Sequence, residues 1–96
     1  MAHEFDRKVI VAAVLRQDFE ALRMQTAEEC TELALAILHG RREQPRWKQK
    51  MLDEIGDVYL MLEQMRYCLG DNFIDLACAA SEARLKRHLG MEKTVK

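Results

Sequence analysis

Residues 24–39, MQTAEECTELALAILH, and residues 51–69, MLDEIGDVYLMLEQMRYCL, decide the fold. In both stretches apolar residues return every three or four positions, the spacing of one face of an α-helix, and no proline interrupts either. Extending the same period outward predicts four helices. The first runs near Phe5 to Gln17, with Val9, Ile10, Ala13 and Val14 inward. The second runs from Glu20 to His39 and is stopped by Gly40. The polar segment Arg41 to Arg46, which holds Pro45, reads as a loop; Trp47 to Leu69 reads as the third helix, closed by Gly70. Asp71 or Asn72 is placed to cap a fourth helix that carries Phe73, Leu76, Ala77, Ala80 and Leu85, reaches about Leu89 and stops at Gly90 before a polar tail.

The composition agrees with an all-α domain. One proline and four glycines in 96 residues leave little to break helices, and the length suits a single domain spanning 1–96. With 49 % hydrophobic and 32 % charged residues the chain is not of the disordered class, and a formal charge of −1 excludes a polycation built to neutralise nucleic-acid backbones. Cys30, Cys68 and Cys78 form no CxxC pair and leave an odd thiol, which speaks against a disulfide framework or a zinc site and for a reducing, cytoplasmic setting. The longest apolar run, Val9 to Leu15, is far below a bilayer span, and the amino terminus lacks the pattern of a cleaved signal, so no membrane partner is expected. A domain this small with six methionines is expected to cover leftover apolar surface by self-association, as a homodimer or homotetramer.

Two acidic motifs stand out. Glu28-Glu29-Cys30-Thr31-Glu32 lies on the second helix and Asp53-Glu54-Ile55-Gly56-Asp57 on the third, each with carboxylates three apart and therefore on one face. At 100° per residue, Leu22, Leu33 and Ala36 fall within about 40° of Glu29, and Met65, Val58 and Met61 within about 40° of Glu54. Both glutamates thus border an apolar stripe, while Glu28 and Asp53 turn toward solvent. In an antiparallel hairpin, residues abreast have numbers that add to twice the loop centre, about 87. Glu29 with Asp57, and Glu32 with Glu54, each add to 86.

Four carboxylates at one level of a helix groove repel one another unless a cation sits among them. Oxygen donors without histidine or cysteine suit Mg²⁺, or Mn²⁺ in its place, and a magnesium ion that keeps waters commonly takes further ligands from substrate phosphates. The plain alternative is that these acids line solvated helix faces, the usual fate of glutamate. Matched spacing, position at the core margin and a common hairpin level favour the metal. A di-iron bundle is excluded, because no histidine stands three after a glutamate. The acidic motif of terpenoid synthases is similar to Asp53–Asp57, but 96 residues cannot enclose a prenyl chain in that fold.

The pattern E-x-x-E, here Glu29-Cys30-Thr31-Glu32, followed after 21 residues by E-x-x-D, here Glu54-Ile55-Gly56-Asp57, resembles the MazG-like all-α nucleotide pyrophosphohydrolases. The surroundings QTAEECTELALAI and LDEIGDVYLMLEQM carry the likeness beyond the acids, most strongly over 24–66. The resemblance implies a four-helix bundle of the all-α NTP pyrophosphatase type. It also implies a Mg²⁺-dependent enzyme that cleaves a nucleoside triphosphate or related nucleotide between the α- and β-phosphates, releasing monophosphate and pyrophosphate. Glu29, Glu32, Glu54 and Asp57 are then the metal-holding and catalytic residues, with Glu28 and Asp53 ranked behind them.

A nucleotide also needs cations and a surface for its base. Five basic residues against one acid occupy 41–50, and Lys50 stands four before Glu54, placed either to meet a phosphate or to pair with Glu54. Trp47 shares that side and is a candidate for base stacking, against the commoner role of a core or interface aromatic. Arg84 and Arg87 lie in a basic stretch similar to the C-terminal helix with which relatives contact phosphate, although the wider K…N…R arrangement is missing; a solvated basic face is the equal alternative. Gln25, beside Glu32 on the helical wheel, is a further ligand candidate, and a surface amide otherwise. His3, His39 and His88 have no neighbours that make a base or a metal site. The rival to the enzyme is a non-catalytic helical interaction or regulatory module, whose methionines make an adaptable apolar surface.

Overall fold

The computed structural model describes residues 2–40 and 46–91, so the predicted loop from Arg41 to Arg46, except Arg46 itself, and most of the polar tail lie outside the described residues. Four helices follow in order: α1 (Arg7–Leu15), α2 (Phe19–His39), α3 (Trp47–Leu69) and α4 (Asp71–His88). The all-α reading is what the chain adopts, with no strand among the described residues. Two aspartates set the first two helix starts. The Asp6 carboxylate accepts from the Lys8 N–H at 2.9 Å, and the Asp18 carboxylate from the Ala21 N–H at 2.8 Å, which satisfies otherwise unpaired amides of each first turn. The cap at Asp18 moves the start of α2 to Phe19, one residue before the predicted Glu20.

α3 is the axis of the molecule, and α1, α2 and α4 all pack against it. Its inner face carries Met61 and Gln64, both buried, beside half-buried Val58 and Met65; Leu22 of α2 and Ile10 of α1 complete a small core. Thr26 is buried as well, and its hydroxyl is satisfied by donating to the Leu22 carbonyl at 2.8 Å. On α1 the inward residues are Ile10, Ala13 and Val14, whereas Val9, expected inward, is 55 % exposed. Short α1 has α3 on one side and no cover on the other, so only a narrow part of its apolar stripe is used.

The turn into α4 departs from the prediction. Gly70, at φ 102°, closes α3 and stands at the N-cap of α4, and neither Asp71 nor Asn72 caps it. Only glycine takes that φ without strain. The junction is pinned instead by Arg66, whose guanidinium lies 2.6 Å from Asp75 and 3.8 Å from Asp71. Beyond this first turn α4 leaves α3: Ile74 is half-buried, and every later residue of the helix is exposed. The radius of gyration is 16.7 Å, against roughly 12.5 Å expected for a compact chain of this length.

Candidate metal centre

The apolar inner faces of α2 and α3 hold the two acidic motifs at one level. Oxygens of Glu29, Glu54 and Asp57 all lie within 4.8 Å of one another. Glu54 is buried, Glu29 half-buried and Asp57 exposed, so the group grades from core to solvent as the wheel predicts for its two glutamates. The reason is local. Glu54 sits one turn from Val58 and Met51 on the face that α2 covers, so packing the methionines carries its carboxylate inward.

Charge balance at the cluster is incomplete. Lys50 Nζ reaches Glu54 Oε1 at 3.2 Å, an i, i+4 pair, while Glu54 Oε2 and Glu29 Oε2 are both buried without a hydrogen-bond partner. For Glu54 an orphaned buried oxygen carries a penalty of the order of 1–3 kcal/mol. Burial holds the Glu29 carboxyl above its ordinary value, and repulsion from Glu32, Asp57, Glu54 and Glu28 adds to the shift. Two orphaned oxygens from facing helices, with a third carboxylate beside them, are an oxygen-only donor set that fits a hard divalent cation. Oxygens around one Mg²⁺ at about 2.1 Å stand roughly 3–4 Å apart, so side-chain rotations of about an ångström close the set.

Glu32 stands just outside this triad. It is exposed, it acts on Glu29 electrostatically, and it forms part of the wall of an open cavity of about 790 Å³ between the C-terminal end of α2 and the start of α3. Among the described residues that wall also includes Leu35, Ala36, His39, Trp47 and Lys50. Trp47 is half-buried there, and Lys50 joins cavity to cluster by touching both. Of the other bases between 41 and 50, Arg46 lines the cavity, Lys48 is exposed, and Arg41 and Arg42 lie outside the described residues.

Three expected ligand contacts are not brought here. Gln25 is exposed on α2, on the side of the cluster away from the cavity, and is not among the wall residues. Arg84 and Arg87 sit near the end of α4, which departs from α3 before reaching the level of the acids; Arg84 instead donates to the Ser81 hydroxyl at 3.0 Å. Glu28 and Asp53 are exposed, and Asp53 accepts from the Gln49 amide at 2.8 Å. Conversely, Leu35, Ala36 and His39 belong to the cavity although no role was predicted for them. Their signal was present in the spacing, since 32, 35, 36 and 39 follow one helix face toward the loop. No family model, curated protein or solved structure matches this chain, so the likeness to a family rests on its motifs alone.

Proposed function

We propose that this chain is a nucleotide pyrophosphohydrolase dependent on Mg²⁺, with Mn²⁺ as a substitute, acting on a nucleoside triphosphate or related nucleotide. The observation that carries the reading is the pair of orphaned buried oxygens, Glu29 Oε2 and Glu54 Oε2, set beside Asp57, with Lys50 linking Glu54 to a neighbouring cavity of nucleotide size. Glu29, Glu54 and Asp57 hold the cation, and Glu32 adds a carboxylate on the cavity side. The ion, when bound, supplies neutralisation of phosphate oxygens and a water of lowered pKa. A water oxygen would bond to the α-phosphorus as that phosphorus's bond to the bridging oxygen breaks; pyrophosphate leaves with that oxygen, and the water's proton is released to solvent.

The protein's own part is positioning and charge. Lys50 exchanges or shares Glu54 with a phosphate oxygen, which keeps the phosphate chain next to the carboxylates. Trp47 offers a ring face to the base at the far end of the cavity, with Leu35 and Ala36 as apolar wall. Three exposed cysteines with no disulfide suit a reducing cytoplasm, and a homodimer or homotetramer belongs to the same proposal. No helix among the described residues is long and apolar enough to cross a membrane.

The test is direct. The full chain, incubated with a nucleotide panel and Mg²⁺, releases pyrophosphate that disappears with EDTA and in Glu54→Gln. No metal-dependent pyrophosphate from any nucleotide discards the enzyme in favour of the second reading, a non-catalytic interaction module. That reading draws on α4, whose apolar residues Phe73, Leu76 and Leu85 are exposed, as is Leu89 at its C-cap.

A further inference from the structure

The cavity at the loop end of the α2–α3 hairpin has two chemically different ends. Glu32 and Lys50 stand at the end beside the carboxylate triad. The other end, where α2 stops and α3 starts, holds His39, Arg46 and Trp47. His39 follows Glu32 by seven residues and Trp47 precedes Glu54 by seven, so about 10 Å of helix separates the two ends along both walls. A Cβ built on Gly40 stands 3.6 Å from Trp47 Cε3 and 3.6 Å from the Met51 methyl, so the edge of the indole closes against the end of α2 with no side chain between. Aromatic stacking takes any base, because every base has a π-face, and Trp47 alone therefore selects nothing. Selection falls to the polar groups that surround the base, here His39 and Arg46.

Both side chains are exposed and make no hydrogen bond or ion pair among the described residues. A guanidinium only donates, and an imidazole always has at least one N–H to give. No carboxylate accompanies them: the one acid in the described wall is Glu32, at the opposite end. Donors without an acceptor suit a base edge made of acceptors. Guanine and hypoxanthine present O6 and N7 side by side, the pair that an arginine fork meets with two hydrogen bonds. Adenine carries an amino group where O6 stands, so a donor would face a donor, and cytosine presents an amino group likewise. Uracil and thymine offer one carbonyl there, without a neighbouring acceptor.

We infer that the cavity takes the base of a 6-oxopurine nucleotide, with Trp47 stacked on the ring and Arg46 and His39 donating to O6 and N7. The inference rests on the proposed nucleotide reading of the cavity and adds the class of base. Arg46 and His39 set specificity only; the phosphates and the cation are left to Lys50 and the carboxylates, so base preference and metal binding are separable.

Trp47 is the only tryptophan in the chain, so its fluorescence reports occupancy of the cavity without turnover. The full chain with Mg²⁺ is titrated with the α,β-methylene triphosphates of guanosine, inosine, adenosine, cytidine and uridine, which resist cleavage at that bond. The guanosine and inosine analogues bind at least about tenfold tighter than the other three, the low end of what one bidentate pair supplies at a base edge. Arg46→Gln removes most of that preference and His39→Ala reduces it. Arg46→Lys keeps the charge without the fork and does not restore it. Lys48→Gln, at an exposed neighbour that is not among the wall residues, leaves the preference intact. Equal affinity for all five bases overturns the inference. So does a preference that survives Arg46→Gln, an inosine analogue that binds like the adenosine one, or no fluorescence response to any of them. Pyrophosphate release separates the two readings: release from all five natural triphosphates at equal kcat/KM keeps the pyrophosphohydrolase and removes the 6-oxopurine, whereas base-selective binding with no release does the reverse.

Discussion

Lys50 Nζ lies 3.2 Å from Glu54 Oε1, and the other oxygen of the same carboxylate, Oε2, is buried with no partner. One side chain is thus half-satisfied: one oxygen meets the ammonium of a cavity-wall lysine, and the other is buried without a partner in the cluster with Glu29 and Asp57. The lysine is 67 % exposed and the glutamate side chain 7 %, so the pair bridges solvent and core. As a surface ion pair it contributes a few tenths of a kcal/mol. Its larger effect is to leave Glu54 only one orphaned oxygen instead of two.

Lys50→Met therefore lowers stability by about 1 kcal/mol in metal-free solution, more than the exposed pair alone accounts for, since the buried carboxylate then lacks any partner. The double variant Lys50→Met, Glu54→Gln recovers most of the loss. Urea unfolding of the four members of this cycle measures the coupling; strict additivity would show that Glu54 is not a strained charge.

Glu29 titrates above its ordinary value, so the folded state prefers its protonated form. For an acid shifted upward, stability is full below the unfolded pKa and is lost as pH rises through the folded one. Glu29→Gln accordingly raises the melting temperature at neutral pH without metal, and the advantage over wild type fades as pH falls through the carboxylate range. Melting curves across that range check it; an advantage that grew on acidification would contradict the sign.

Mg²⁺ stabilises the wild-type chain by mass action. At a hundredfold excess over Kd the gain is about 2.7 kcal/mol, equivalent to a rise in melting temperature of the order of 10 °C for a domain of this size. Glu54→Gln and Glu29→Gln lose the gain, whereas Arg84→Ala keeps it, because Arg84 is not part of the cluster. Calorimetric titration gives the same ranking independently of heat.

Two backbone positions give opposite shifts. A Cβ added at Gly56, inside α3, meets nothing within 4 Å, so Gly56→Ala stabilises by roughly 0.5–1 kcal/mol through helix propensity. Asp18→Ala removes the carboxylate that accepts from the Ala21 N–H and destabilises by about 1 kcal/mol. Thermal unfolding reads both, and the combined variant lands near wild type.

The chain's local order determined a good deal by itself. Helix number and nearly every boundary follow from a 3.6-residue rhythm broken at Gly40, Gly70 and Gly90, because backbone hydrogen bonding within a helix is a local property. Glu29, Glu54 and Asp57 were legible as neighbours, since a short connection fixes the register of a hairpin and the register fixes the level. Which faces are covered was decided only in three dimensions. Periodicity says that Val9 or Phe73 belongs to an apolar stripe, yet whether another helix lies over that stripe depends on long-range packing that no spacing encodes. The placement of Glu32 at the cavity wall, the recruitment of His39 to it, and the departure of α4 with Arg84 and Arg87 all follow from that packing.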